Sequence, residues 1–173
     1  NCHWHIFEFT ANCVVQTPDS LFFGDTSNKL WQFSLINFQV KSFAKIQGTP
    51  TALFLTTYSG DQYGILSISN SGSIEFFSAS GKLSSQATCE VSKTITFDIY
   101  TNTLYLMNNK KTVHTYSISP SKIEKIGECS FSGVTAGETK PTNYTVQQIA
   151  PCHLPLSPRP LFYAICDSQT LLI

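Results

Sequence analysis

A chain of 173 residues is long enough to bury one domain-sized core. Only 13% of its residues are charged, and Lys plus Arg balance Asp plus Glu at 11 each, so the basic excess that marks most nucleic-acid binders is missing. Aromatics reach 13%, Ser, Thr and Ile are abundant, and Met and Arg (Arg159) occur once each, a composition that favours pleated sheet over helix and predicts an all-β fold.

In chain order, His3-Trp4-His5-Ile6-Phe7-Glu8-Phe9 reads as an aromatic-rich strand that stands before the first repeat. Ala11 to Gln16 begins a second strand, and Thr17-Pro18-Asp19-Ser20 turns the chain. Leu21 to Gly24, the turn Asp25-Thr26-Ser27-Asn28, and Lys29 to Leu35 form an inner hairpin, and Gln39 to Ile46 closes a four-strand unit. A second unit repeats that order through Thr51 to Thr57, Tyr63 to Ser69, the turn Asn70-Ser71-Gly72, Ser73 to Ser78 and Lys82 to Val91. The third uses Thr94 to Tyr100, Thr103 to Met107, Thr112 to Ile118 and Ile123 to Phe131. Ser132 to Asn143 is a polar insertion. Tyr144 to Ala150 opens a fourth unit, the proline-rich stretch Pro151 to Pro160 suits no central strand, and Leu161 to Asp167 leads to Leu171-Leu172-Ile173.

One frame recurs at a fixed offset: a turn, an aliphatic residue, two spacers, an aromatic, then Ser. It appears as Leu30–Phe33–Ser34, Ile74–Phe77–Ser78 and Val113–Tyr116–Ser117, and a fourth copy begins at Leu171. Phe33 and Phe77 are 44 residues apart, and Phe77 and Tyr116 are 39 apart. Four strands at a period of about 40–45 residues mark a β-propeller blade. The expectation is a partial β-propeller of three to four four-stranded antiparallel blades, at approximately 11–48, 49–92, 93–132 and 144–173 within a single domain. Seven blades would need about 290 residues at that spacing, so the chain reads as part of a longer, seven-bladed protein.

Turn, Ile74, two residues, Phe77, Ser78 resembles the third strand of a WD40 blade, whose last two positions are usually Trp-Asp. Here Phe33, Phe77 and Tyr116 stand for Trp, and Ser34, Ser78 and Ser117 stand for Asp. With no Gly-His dipeptide before the blades, the resemblance is to a degenerate WD40-like propeller of the kind used in scaffolding complexes. Trp4 to Phe9, Ser20-Leu21-Phe22-Phe23-Gly24-Asp25 and Leu30-Trp31 are similar to the N-terminal propeller of the eleventh vacuolar-sorting subunit of the HOPS and CORVET membrane tethers. That resemblance covers the first 35 residues best. It implies a docking module in an endosomal or vacuolar membrane-tethering complex, cytoplasmic or peripheral on those membranes, with other protein subunits as partners. It carries over no ligase activity.

The chemistry-bearing residues assemble into no site. Cys2, His3, His5 and Cys13 match no zinc spacing. Cys152 and His153 are neighbours on a predicted strand and point to opposite faces, so they cannot form a nucleophile–base dyad. Asp98 and His114 lack a nucleophile elbow. Gly72 and Gly81 read as turn glycines, not a phosphate loop. Lys110-Lys111, the one adjacent basic pair, sits in a predicted turn. The six cysteines are sparse and irregular, which favours free thiols, and the single N-x-T sequon at Asn143 is weak support for secretion. No apolar run approaches the ~18 residues of a membrane span. No signal peptide is visible, which in a chain not beginning with Met carries no information. The expected function is therefore a non-catalytic protein–protein interaction scaffold with no catalytic, cofactor-binding or metal residues, no cofactor, no nucleic acid and no direct membrane insertion. The alternative is a secreted, hemopexin-like four-bladed binding domain, to whose blade core Leu21 to Phe33 is similar.

Overall fold

The computed structural model describes residues 7–58, 62–92, 94–108, 112–130, 146–152, 161–166 and 170–172. They form strands and turns with no helix. β1 (Ala11–Gln16), β2 (Ser20–Asp25), β3 (Lys29–Ser34) and β4 (Val40–Lys45) make the first antiparallel sheet in chain order. β5 (Pro50–Tyr58), β6 (Gln62–Ser69), β7 (Ser73–Ser78) and β8 (Leu83–Thr88) make the second in the same order. β9 (Thr94–Asp98), β10 (Thr103–Met107), β11 (Thr112–Ile118) and β12 (Ile123–Ser130) make the third, and β13 (Val146–Cys152), β14 (Leu161–Cys166) and β15 (Thr170–Leu172) a fourth of three described strands. The chain divides into two compact units, Asn1–Cys89 with Ser119–Ile123, and Glu90–Ile118 with Glu124–Ile173.

In the first unit the predicted anchors explain the packing. Leu30 is fully buried and Phe33 is 6% exposed, and residues three apart on a strand lie on opposite faces, so β3 is covered from both sides. Ile74 and Phe77 repeat this on β7 at 0% and 1% exposure. Leu30 joins Phe22, Ile46, Leu53, Ile65 and Phe77 in one cluster, with Cys13, Val15, Phe43 and Tyr63 at its margin. One face of the first sheet thus packs on one face of the second. β6 is buried without interruption from Gly64 to Ser69, as a strand with no solvent face must be. Gly81, at φ +81°, sits in the β7–β8 turn so close to β4 that a Cβ there would collide with the Phe43 carbonyl oxygen. Ser85 Oγ on β8 donates to the Ser119 carbonyl at 2.7 Å, which draws Ser119–Ile123 into this unit.

The second unit keeps the frame. Val113 and Tyr116 on β11 are 2% and 5% exposed, and all of β10 is buried. Thr94 and Thr96 hydroxyls on β9 donate to the Gln147 and Ile149 carbonyls on β13, tying the third sheet to the fourth through their first strands.

A second regularity, not anticipated from the repeat, lies five residues before each aliphatic anchor. Asp25, Ser69 and Asn108 are all buried, and each accepts the backbone N–H four residues on: Lys29 at 2.9 Å, Ser73 at 3.2 Å and Thr112 at 3.0 Å. A buried side-chain oxygen therefore closes every inner hairpin turn of the three four-stranded sheets. The left-handed turn residue is also shared, with Asn28 at φ 63° and Gly72 at φ 80°, each two residues before its anchor. The Ser positions of the frame act at the opposite turn. Ser34 Oγ accepts the Ile36 N–H, and Ser78 Oγ bonds Ser80 Oγ and the Lys82 carbonyl. In the third sheet β11 runs one residue farther, to Ile118, and Ser119 rather than Ser117 makes these contacts, accepting the Lys122 N–H at 3.1 Å.

One expectation changes, and one strand runs past its expected end at Ala150 while staying at the edge of its sheet. Phe7, Glu8 and Phe9 belong to no strand. The two phenylalanine rings pack on aromatic rings of the first sheet instead, Phe9 stacked flat on Trp31 at 5.1 Å and 3°, Phe7 edge-on to Phe33 at 5.4 Å, so ring packing takes the place of ladder pairing. Pro151 lies inside β13, paired with Phe162. β13 ends its sheet, and an end strand tolerates a residue without an N–H.

Asp25 is the most heavily used cap: it also accepts Ser27 N–H and Oγ–H and, at 2.7 Å, Trp31 Nε1–H. Asp25→Ala should cost about 2–4 kcal/mol in urea unfolding because several partly buried donors lose their acceptor together. Ser69→Ala should cost about 1–2 kcal/mol. Equal and negligible losses at both positions would refute the cap assignment.

Candidate interaction surface

The buried carboxylates are engaged within the fold. Asp25 is 1% exposed, and burial alone would raise its pKa, but the hydrogen bonds from Trp31, Ser27 and Lys29 outweigh that and hold it below the usual carboxylate range. Glu75 on β7 is 2% exposed and goes the other way. Burial raises it, only partly opposed by the Gln47 N–H at 2.9 Å and the Ser73 hydroxyl. Directly across from Glu75 stands Ser67, whose buried hydroxyl has no hydrogen-bond partner.

Among the described residues no three of His, Cys, Asp and Glu gather as metal ligands. Cys2, His3, His5, His153, Lys110, Lys111 and Asn143 lie outside the described residues, and Cys152 ends β13. Cys13, Cys89 and Cys129 are free. Burial pushes the Cys13 and Cys89 thiols up to about 11, Cys13 being partly offset by the Gly24 backbone, so neither is a thiolate at neutral pH. Asp98 and His114 do not meet as an acid–base pair. Asp98 pairs with Thr103, which pairs with Ser117, so it stands three residues, about 10 Å, along the sheet from His114. Its carboxylate accepts the Tyr100 N–H at 3.0 Å and the Thr101 hydroxyl at 2.6 Å. His114 Nε2 faces Glu128 at 3.9 Å across β12, and Glu128, bonded to Lys125 at 2.6 Å, is held below its ordinary range.

What remains available is surface. Large apolar side chains stand exposed at turns: Ile36 at 76% and Phe38 at 58% between β3 and β4, and Tyr100 at 90% between β9 and β10. Val14 and Val40 are exposed on the first sheet as well. Trp31, on that same side, carries the Lys29 ammonium 5.6 Å from its ring. The sequence analysis singled out none of these. Their signal was an apolar pair inside a predicted turn, Ile36-Asn37-Phe38.

Known proteins with comparable structure define the fold. No family model matches the sequence. No curated protein sequence matches it either. Among solved structures, BBS1N in complex with ARL6DN superposes at a TM-score of 0.66 with 11% identity, covering 100% of this chain and 53% of that one. The computationally designed Ika4 protein gives 0.61 with 9% identity, covering 99% of this chain and 94% of that one. The RRP9 WD40 repeats give 0.57 with 14% identity, covering 73% and 40%. The chain has the fold of a WD40-like β-propeller, as a partial one. It spans about half of BBS1N and less of RRP9. With 685 solved chains sharing this likeness, the fold by itself specifies no activity.

Two measurements check the electrostatics. Iodoacetamide at pH 7.5 should modify exposed Cys129 well before Cys13 and Cys89, which should react only on denaturation; equal rates would contradict their burial. Glu75 has a folded pKa above its unfolded one, so the native state loses stability as pH rises from about 4.5 through the raised value. Glu75→Gln keeps the acceptor for Gln47 and should raise the melting temperature at pH 7, with the gain vanishing below about pH 4. A gain that persisted at pH 3 would refute this. Asp25 has the opposite sign: its contribution is complete above about pH 3.8 and is lost on acidification through its lowered pKa.

Proposed function

We propose that the chain is a non-catalytic protein–protein interaction scaffold, and that it serves as the propeller of a subunit of an endosomal or vacuolar membrane-tethering complex, cytoplasmic and peripheral on those membranes. Its blades run approximately 11–48, 49–92, 93–132 and 144–173. The observation that carries the reading is the division of labour among side chains. Buried polar groups such as Asp25, Ser69, Asn108 and Asp98 are spent on holding turns. Large apolar and aromatic side chains on turn tips are left exposed to meet another molecule. Rigid sheets that display such tips are suited to gripping protein surfaces, where buried aromatic anchors contribute most of the affinity. BBS1N, similar in fold, was captured with ARL6DN, which is the behaviour proposed for this chain toward a protein partner. The tethering context rests on the resemblance of Ser20–Asp25 and Leu30-Trp31 to the vacuolar-sorting family.

Affinity purification of the tagged full-length protein from its own cells, read by mass spectrometry, tests this. The expected result is co-purification of class C vacuolar-sorting subunits in stoichiometric amounts. Recovery of other stoichiometric partners without them would overturn the tethering assignment, and recovery of the protein alone would overturn the scaffold reading.

A further inference from the structure

The aromatic anchor of the second sheet is covered by the first sheet. Phe77 lies in one cluster with Phe22 and Leu30, and it is 1% exposed. The first sheet has an aromatic face of its own. Trp31 and Phe33, two positions apart on β3, share it. Cross-strand pairing adds Phe23 and Val14 in line with Trp31, and Leu21 and Val40 in line with Phe33. Phe22 and Leu30 lie on the opposite face, where the second sheet packs. Among the described residues of the first unit, no third sheet remains to cover Phe33.

Phe33 is nevertheless only 6% exposed, close to the value for Phe77 under a whole sheet. Rings from outside the sheet supply that cover. Phe7 lies 5.4 Å from Phe33 and 5.0 Å from Phe23, and Phe9 lies 5.8 Å from Phe23 and 5.1 Å from Trp31. The two phenylalanines are 5.2 Å from each other, and Phe38 approaches Phe33 at 6.2 Å. The cover is narrow. Val14 and Val40, at the margins of the face, stay 55% and 37% exposed. Phe7, Glu8 and Phe9 join no strand, so they bring rings to the face without a ladder. Where the segment runs on toward β1, Thr26 N–H donates to the Thr10 carbonyl at a long 3.4 Å. Three residues thus stand where a sheet stands elsewhere in the unit.

The geometry points to Phe7-Glu8-Phe9 as a strap that gates self-assembly: its two rings occupy the aromatic face of the first sheet and so keep a second copy of the chain from stacking its own first sheet there. The face itself selects that occupant. Sheet-on-sheet packing of apolar faces already joins the first two sheets of the chain. A second copy brings an identical face, which a two-fold axis sets against the first. Contiguous exposed apolar surface favours association unless something covers it. Gated stacking goes beyond the scaffold reading and does not rest on it. The competing role is plain packing, in which the rings stabilise the first sheet and control nothing.

Sedimentation velocity on the full chain and on its Phe7→Ser/Phe9→Ser variant, across a wide range of concentration, separates the two roles. The strap predicts a discrete dimer of the double variant at a concentration roughly tenfold or more below that needed by the unmodified chain. Adding Val14→Lys, which charges the margin of the same face, should return the double variant to monomer. A synthetic peptide of residues 1–10 added in trans should do the same, and the peptide carrying both Ser substitutions should not. Should the double variant lose its sheet signal in circular dichroism, Phe9→Ser alone, which leaves Phe7 on Phe33, carries the test by uncovering Trp31, and it should shift dimerisation in the same direction. The strap is overturned if the folded variant associates no more readily than the unmodified chain. It is also overturned if the dimer survives Val14→Lys or the native peptide, or if polydisperse aggregates form in place of a dimer. Any of these failures leaves the scaffold reading standing.

Discussion

A four-stranded sheet buried on both faces of its third strand cannot be stable by itself. Leu30 on one side of β3 and Phe33 on the other, like Ile74 and Phe77 on β7, would leave apolar surface in water unless another layer covered each face. The first two sheets answer each other's need through the cluster that holds Leu30 and Phe77 together. Burying a side chain such as Phe77 contributes about 2–3 kcal/mol, and its neighbours contribute comparably. That requirement sets the repeat length, since each unit needs enough strands to make a sheet wide enough to cover the next. It also sets the small residues at close approaches, of which Gly81 against β4 is the clearest case.

Stacked sheets make their inner turns crowded, and crowding decides the polar chemistry. A hairpin turn pushed against a core cannot rely on water for its backbone N–H groups. Asp25, Ser69 and Asn108 supply the missing acceptor from within. The cost of burying Asp25 is offset by its several donors, so it remains charged. Glu75 has fewer donors and shifts upward. These two carboxylates therefore push the pH dependence of stability in opposite directions.

The apolar layer of this fold was legible in the sequence because it obeys one offset. An aliphatic residue and an aromatic three positions later recur with little change of type, and the φ-positive Gly72 and Gly81 announce their turns. The polar layer was not legible in the same way. Asp25, Ser69 and Asn108 perform one task with three different residue types, so no letter repeats, and only the shared five-residue distance to the anchor could have exposed them. Phe7 and Phe9 read as strand because aromatics are strand-prone, but their rings found aromatic partners on the first sheet, Phe9 on Trp31 and Phe7 on Phe33 and Phe23. The offset puts Ser117 in line with Ser34 and Ser78, but Ser119 holds the turn because β11 is one residue longer than its counterparts. The exposed tip at Ile36 and Phe38 stayed hidden because a left-handed phenylalanine has no sequence signature.

The central claim is that each sheet depends on its neighbour through the residues flanking the third strand. A double-mutant cycle with Leu30→Ala and Phe77→Ala, followed by chemical denaturation, tests it most directly. The two residues belong to different sheets and lie 47 positions apart in sequence, so only a shared core can couple them. The account predicts single losses of about 2–5 kcal/mol each and an interaction energy of at least about 0.5 kcal/mol between them. Losses that add without interaction would mean that the sheets stand independently, and would contradict it.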